Sequence, residues 1–71
     1  MNIFPNPTTN ELNIVLSGEF NFSIVDARGR AITSGTGSQV VVLNTTDYET
    51  GVYFVTISNE TDTIVTRVVK Q

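Results

Sequence analysis

The hydrophobic positions of the chain follow the patterns of β-strands, most densely in Gly51–Ser58. Both alternating sets of side chains in this stretch are largely apolar: Val52, Phe54 and Thr56 form one set, and Tyr53, Val55 and Ile57 form the other. Because a strand that is apolar on both faces is expected to be covered on both, the pattern predicts that this segment is the central strand. Gly51, at its start, is expected to adopt a positive φ or to allow close backbone approach.

Six other segments show the alternation or the short apolar runs that are typical of strands. They are Asn2–Phe4, Glu11–Leu16, Phe20–Val25, Ala31–Thr33, Val40–Leu43 and Thr63–Lys70. About seven short strands, spaced about 8 to 12 residues apart and without helical periodicity, predict an all-β fold. We expect an Ig-like antiparallel β-sandwich, in which two sheets pack on each other.

The segments between these strands carry turn signals. Ser17–Glu19 is predicted to be a tight turn that joins the strands on either side of it into a hairpin. Asn59–Asp62 is predicted to be the hairpin turn that leads into the last strand. Ser34–Ser38 is rich in glycine, so we expect this segment to be mobile or bulged rather than regular.

Three residues in the remaining loops have predicted structural roles. Asp26 is expected to accept hydrogen bonds from backbone amides in the turn that it begins, and Gly29 is expected to adopt a positive φ there. Tyr48 is expected to anchor its loop, with the ring on the core and the hydroxyl in water.

Composition narrows the classes of function. The chain has 71 residues, enough for one domain over residues 1–71, and its formal net charge is −3 with Lys70 as the one lysine. This balance argues against nucleic acid and anionic membranes as partners. No apolar run reaches the roughly 18 residues that span a bilayer, and the first residues lack the pattern of a signal peptide. We interpret Met1 as a start added to an excised piece of a larger exported protein.

Few residues offer catalytic or metal-binding chemistry. The chain has no histidine and no cysteine, and its carboxylates lie mostly in predicted turns, where they are commonly solvated. Asp47 with Glu49, and Glu60 with Asp62, could supply oxygen ligands for calcium, but neither pair has the spacing of a dedicated calcium loop. We therefore expect no enzyme activity, no cofactor and no metal site.

Two weaker signals concern modification and anion binding. Asn21, Asn44 and Asn59 each begin an N-x-S/T sequon, as chance predicts in a chain rich in asparagine and threonine. Arg28 and Arg30 flank a glycine and could hold an anion, but exposed arginines in turns are more often solvated. We assign no function to either signal.

An ordered series of short motifs runs through the whole chain. It consists of Ile3-Phe4-Pro5-Asn6-Pro7, Glu11-Leu12, Ile24-Val25-Asp26-Ala27-Arg28-Gly29-Arg30, Gly51-Val52-Tyr53-Phe54-Val55 and Val68-Val69-Lys70. In order and spacing the series resembles the type A C-terminal sorting domain of the type IX secretion system, also called the Por secretion system. The motif residues to which we assign structural roles are Pro5, Asn6, Pro7, Asp26, Gly29, Arg30, Gly51 and Tyr53. The chain departs from the family pattern at Tyr48, where leucine is usual, and at Thr66-Arg67, where a more lysine-rich pair is usual.

The resemblance implies that the domain acts as a sorting signal for the protein to which it is attached. Domains of this family resemble Ig-like β-sandwiches at the C-terminus of large proteins exported by Gram-negative bacteria. The implied partners are a covalently linked N-terminal passenger, an outer-membrane translocon that recognises the domain, and a sortase-like cysteine peptidase that removes it. The implied route runs through the periplasm to the outer-membrane surface or the medium. We expect the domain to be a monomer.

The last strand is the expected recognition site. Whichever of its faces points outward presents valine beside a cation, and such a terminal strand can serve as a docking surface. We therefore assign recognition by the translocon or the sortase to the following residues: Val65, Arg67, Val68, Val69 and Lys70. Both cations are expected at the surface, where a change of charge costs little stability. Two alternatives stay open: the valines could complete the core, or recognition could lie in the loops Asp26–Arg30 and Asn44–Thr50.

An alternative function from a different class is an autonomous surface module that binds carbohydrate or adheres to other surfaces. Such a module typically presents a stripe of exposed aromatic rings. We interpret the six aromatic residues of this chain, four phenylalanines and two tyrosines, as core residues or loop anchors. An enzyme domain is a weaker third alternative, so the sequence favours the sorting signal.

Overall fold

The computed structural model describes residues 1–71 and contains five β-strands and no helix. The strands are β1 (Asn2–Phe4), β2 (Glu11–Asp26), β3 (Ala31–Asn44), β4 (Gly51–Ser58) and β5 (Thr63–Lys70). All strand pairs are antiparallel and belong to one sheet. The predicted all-β class is confirmed, and β1, β4 and β5 have the predicted bounds.

The predicted count of about seven strands is wrong, in the first place because β2 passes straight through the expected turn at Ser17–Glu19. β2 is 16 residues long, and its register against β3 shifts between Leu16 and Glu19. Because β2 pairs with β3 on both sides of Ser17 and Gly18, these two extra residues form a β-bulge and not a hairpin, and Gly18 has a φ of 82° within it. Because the bulge inserts an even number of residues, the apolar side chains before and after it point to the same face of the sheet.

The glycine-rich segment Ser34–Ser38 is regular strand, contrary to the prediction of mobile or bulged chain. It lies inside β3, where Gly35 pairs with Phe22 and Gly37 pairs with Phe20. A Cβ on Gly35 would lie only 3.0 Å from the ring of Phe22. The glycines therefore make room for two aromatic rings that lie across the backbone of the neighbouring strand.

Replacing Gly37 with valine is expected to destabilise the domain, although valine is the better strand former. A Cβ at this position would overlap a methyl group of Val41 and lie 3.1 Å from the ring of Phe20. Overpacking of this kind costs about 1 to 3 kcal/mol of unfolding free energy. Denaturant unfolding of Gly37→Val, compared with Ser38→Val at the exposed neighbouring position, measures the effect. Equal stability of the two variants would show that the ring does not need this glycine.

β2 organises the sheet because it pairs with three other strands. β3 lies along one edge of β2, and the other edge is shared by β1 in the first half and β4 in the second half. β5 pairs with the far side of β4. β4 is therefore an interior strand, as its pattern predicted, but β2 holds the larger number of partners.

The sheet curls around a single core on one face. The buried apolar side chains that form this core are Leu12, Ile14, Phe20, Phe22, Ile24, Tyr53, Val55, Ile57 and Val68. On the opposite face of β4, Val52 and Phe54 are only half-buried, and no second sheet lies over them. The predicted packing of two sheets is not confirmed, since all five strands are hydrogen-bonded into one sheet.

Candidate docking surface

β5 presents one set of side chains to the core side and another to the outer side. Val68 is 2% exposed and Lys70 is 7% exposed, so both belong to the inner set. Val65 is 62% exposed, Arg67 is exposed and Val69 is half-buried in the outer set. The expectation that Lys70 is a surface cation is wrong, because strand alternation places it on the same face as Val68. The accessible members of the predicted recognition set are therefore Val65, Arg67 and Val69.

The outward side chains of β5 continue an apolar strip that crosses β4 and reaches β2. Phe54 pairs with Arg67 on one side and with Val25 on the other, and Val52 pairs with Val69 in the adjacent row. We call this surface the tail face, and it comprises Val25, Val52, Phe54, Val65, Arg67 and Val69. The sequence did not predict Val52 and Phe54 as members of an open surface, because β4 is apolar on both faces and was expected to be covered on both. It did not predict Val25 either, because the other members of its alternating set in Phe20–Val25 are polar.

The tail face has the chemistry of a protein-binding surface. Its side chains are apolar apart from Arg67, and they belong to three paired strands, β2, β4 and β5, that hold them at fixed spacing. Arginine and aromatic side chains are the residue types that most often anchor protein interfaces. Contiguous exposed apolar surface beside a charge commonly marks a site of interaction with another protein.

Asn6, between two exposed prolines, lies against the outer edge of β5. Its side-chain amide donates a hydrogen bond to the carbonyl oxygen of Arg67 at 3.0 Å, and its Oδ1 accepts one from the N–H of Val69 at 3.1 Å. Thr8 continues the contact, because its N–H donates to the carbonyl oxygen of Val69 at 2.8 Å and its carbonyl accepts from the N–H of Gln71 at 2.9 Å. The first and last motifs of the sequence thus form one structural unit.

Thr8 also ties this unit to the rest of the fold. Its side chain is 2% exposed, and its hydroxyl donates to the carbonyl oxygen of Glu11. The hydroxyl of Thr45, which is 1% exposed, lies 3.2 Å from that of Thr8. The N–H of Thr45 donates to the carbonyl oxygen of Asn10 at 2.9 Å. No local signal in the sequence marks these two buried threonines, because threonine is common throughout the loops.

The turn between β2 and β3 is held by Asp26, as predicted. Its Oδ1 accepts hydrogen bonds from the N–H groups of Arg28 and Arg30, both at 2.9 Å, and its Oδ2 accepts one from Arg30 Nε at 2.7 Å. Desolvation raises the pKa of the Asp26 carboxyl, but the hydrogen bonds from Arg30 and Arg28 outweigh it and hold the pKa below its ordinary value. Gly29 has the predicted positive φ, 86°. Arg30 is therefore engaged inside the turn.

A cleft of about 360 Å³ opens between this turn and the Asp47–Thr50 loop. Tyr48 and Tyr53 line it, with ring centroids 5.4 Å apart. Tyr53 is 7% exposed, and its hydroxyl donates to the carbonyl oxygen of Glu49 at 2.6 Å, while burial raises its pKa. Tyr48 packs against the core, which confirms its predicted role as a loop anchor. Gly51 has a φ of 150°, and a Cβ there would meet no atom within 4 Å, so of the two roles expected for this glycine the structure shows the positive φ and not the close backbone approach.

The other residues considered for chemistry do not come together as a site. No group of three or more carboxylates is placed to hold a metal ion. The Oδ1 of Asn59 accepts hydrogen bonds from the N–H groups of Thr61 and Asp62, so this sequon asparagine serves the predicted hairpin turn. No helix of the structure has the length and apolar character needed to span a bilayer.

The aromatic side chains do not form an exposed stripe. Phe20, Phe22 and Tyr53 are buried, and Tyr48 and Phe54 are half-buried. Phe4 is 48% exposed, which corrects the interpretation of all six aromatic residues as core or anchors. A single exposed ring does not provide the row of stacking platforms that a carbohydrate-binding module typically presents.

The fold and this surface define a small all-β domain with one core and an uncovered strand face of apolar side chains around one cation. The sequence model of the secretion system C-terminal sorting domain matches residues 2–71. The chain therefore belongs to this family, the C-terminal sorting signals of type IX secretion. Such a domain accompanies a passenger domain and marks a secreted protein that passes through the outer membrane. A comparison with curated proteins found no match.

Proposed function

We propose that this domain is the sorting signal of a covalently attached N-terminal passenger, and that the outer-membrane translocon of the type IX system binds its tail face. The observation that supports this most directly is the place of Arg67, which is exposed and paired with Phe54 in the middle of an uncovered apolar strip. Membership of the sorting-domain family supplies the kind of partner.

The proposed contact combines apolar burial with one directed charge. A receptor that covers the exposed Val65 and the half-buried Phe54 gains about 25 cal/mol for each Å² of apolar surface removed from water. Arg67 adds orientation, because its guanidinium donates several hydrogen bonds in a fixed plane to carboxylate or carbonyl oxygens. The charge also selects against receptors with a basic surface.

The receptor is proposed to bind side chains of the tail face and not the end of the strand edge. Over Arg67–Gln71 that edge is already occupied, because Asn6 and Thr8 take the outward backbone groups. Strand addition at that position would require the loop to leave. The outward side chains of β5 are accessible without such a change.

After translocation we propose that a sortase-like cysteine peptidase at the cell surface cleaves on the N-terminal side of the domain. The passenger would reach the periplasm by means of a separate signal peptide before this step. It is then released or attached to a surface lipopolysaccharide. The domain itself supplies recognition in this scheme and takes no part in bond cleavage.

Arg67→Glu is expected to block export of a reporter fused ahead of residues 1–71 in a host that has the type IX machinery. Loss of the charged contact and repulsion by the new carboxylate should reduce secretion at least about tenfold, the effect of about 1.4 kcal/mol in binding. Secreted and retained reporter are measured side by side. The purified variant should melt close to the wild-type temperature, because Arg67 is exposed.

Arg28→Glu is the matched control, since it makes the same charge change at an exposed position in the turn between β2 and β3. We expect this variant to be secreted like the wild type. If Arg67→Glu is secreted normally and Arg28→Glu is retained, recognition lies at the cleft beside Asp26–Arg30 and not on the tail face.

A further inference from the structure

The open edge of β3 carries no charge. The sequence contains no charged residue from Ala31 to Thr46, and it contains no proline there. β3 pairs with β2 alone, so its other edge has no partner within the chain. Proteins usually protect a long free edge with charged residues, proline or a covering loop, because its unpaired backbone groups can bind another strand.

The free backbone groups of this edge can be located from the hydrogen bonds on the other side of β3. The N–H of Thr45 donates to the carbonyl oxygen of Asn10, which continues the ladder between β2 and β3. In an antiparallel ladder, alternate residues bond to the partner strand and the others point away from it. The N–H and C=O groups of Val40, Val42 and Asn44 therefore point to the open edge.

Apolar side chains flank these free backbone groups. Val40 is 53% exposed and Val42 is 57% exposed on the outer face of β3. Val42 pairs with Asn13, which pairs with Phe4, and that ring is 48% exposed. A strand that pairs with this edge would gain hydrogen bonds and would also cover exposed valine side chains.

The edge of β5 is different, which makes the β3 edge distinctive. The end of β5 is covered by Asn6 and Thr8, and Arg67 lies on the same strand. These are the protections that edge strands commonly have. β3 has neither a covering loop nor a charge.

We propose that a second copy of this chain binds at the β3 edge, with the two β3 strands antiparallel about a two-fold axis at Val42. A two-fold axis places the same surface against itself, so a charged edge would repel its own copy. The net charge is −3, but this edge is neutral and can meet itself without repulsion. The axis at Val42 pairs Val40 with Asn44 of the second copy, which brings all their free backbone groups into register.

The dimer differs from the monomer that the sequence led us to expect, and its test is the oligomeric state of the 71-residue chain. Sedimentation equilibrium from micromolar to millimolar concentration should show a mass that rises from 7.8 kDa towards twice that value. Hydrogen exchange at the amides of Val40, Val42 and Asn44 should slow as the dimer forms. A chain that stays monomeric at millimolar concentration would overturn the proposal. Any strand that binds at this edge would then have to belong to a different protein.

Val42→Lys and Val65→Lys form a matched pair of variants, because both add a cation at a highly exposed valine on an outer strand face. Val42→Lys should weaken dimerisation at least about tenfold by placing like charges across the axis. Val65→Lys should leave dimerisation unchanged. The reverse result would place the interface on β5 and refute the β3 dimer.

Mixing Val42→Lys with Val42→Glu tests the position of the axis. Each variant alone should be largely monomeric, and the mixture should recover the dimer because opposite charges then face each other. Recovery would also show that neither substitution had unfolded the chain. A mixture that remains monomeric while both variants keep the wild-type melting temperature would contradict pairing at Val42.

Discussion

Replacing Tyr53 with alanine is expected to lower the free energy of unfolding by about 3 kcal/mol or more. The ring is part of the single core, and the side chain is 7% exposed. Small domains have total stabilities at the low end of about 5 to 15 kcal/mol, so this one change removes a large share. The melting temperature should fall by at least about 12 °C, at about 4 °C for each kcal/mol in a domain of this size.

Two further variants, Tyr53→Phe and Phe54→Ala, separate the contribution of the Tyr53 hydroxyl from that of its buried ring. Tyr53→Phe keeps the ring and removes the hydrogen bond to the carbonyl oxygen of Glu49, so it should cost about 1 kcal/mol. Phe54→Ala removes a ring from the outer face, where it is half-buried, and should cost clearly less than Tyr53→Ala. A melting temperature for Tyr53→Ala within a degree of wild type would show that the core does not depend on this ring.

Lys70→Glu is expected to destabilise the domain by about 2 kcal/mol or more, the cost of burying a charged group without a partner. Lys70 is 7% exposed, and its Nζ donates a hydrogen bond to the carbonyl oxygen of Gln71 at 3.1 Å. A carboxylate at this position cannot donate that bond and would meet an oxygen of like partial charge. Urea unfolding at neutral pH gives the difference in free energy.

Arg67→Glu is the matched comparison, because it makes the same change of charge three residues away on the outer face. We expect its stability to stay within about 0.5 kcal/mol of wild type, as is usual for exposed positions. Lys70→Met, which keeps the apolar stem, should lose less than Lys70→Glu. Equal stability of Lys70→Glu and Arg67→Glu would mean that the side chain of Lys70 is in water.

Local chemistry determined several elements of this fold, and the sequence predicted them correctly. The bounds of Gly51–Ser58 and Thr63–Lys70 follow from β-branched and apolar runs that end at turn-forming residues. The turn at Asp26 depends on a carboxylate and a glycine within five residues, so no distant contact was needed to predict it. The ordered motifs also predicted the family, which the match over residues 2–71 confirms.

Pairing between strands that are distant in the sequence decided the structure of the glycine segments that local patterns predicted wrongly. The local sequence around Gly18 predicts a turn, but β2 pairs with β3 on both sides of this glycine. The segment therefore forms a bulge within one strand. Gly35 and Gly37 read as breaks in a strand, but they lie opposite the rings of Phe22 and Phe20 and give them space. In both cases the deciding partner is far away in the sequence.

The candidate docking surface was predicted in part from the sequence, and the rest of it depends on the tertiary structure. The sequence alone selected the last strand, with Val65 and Arg67, because an apolar and basic terminal strand is visible in its residues. Only the curl of the sheet decided which face of that strand points outward. Both alternating sets of side chains in the strand include apolar residues, so the sequence pattern does not show which set faces the core. The same curl buried Lys70 and left Phe54 half-buried on the outer face, and the contact of Asn6 with the edge of β5 depends on a fold that joins the two ends of the chain.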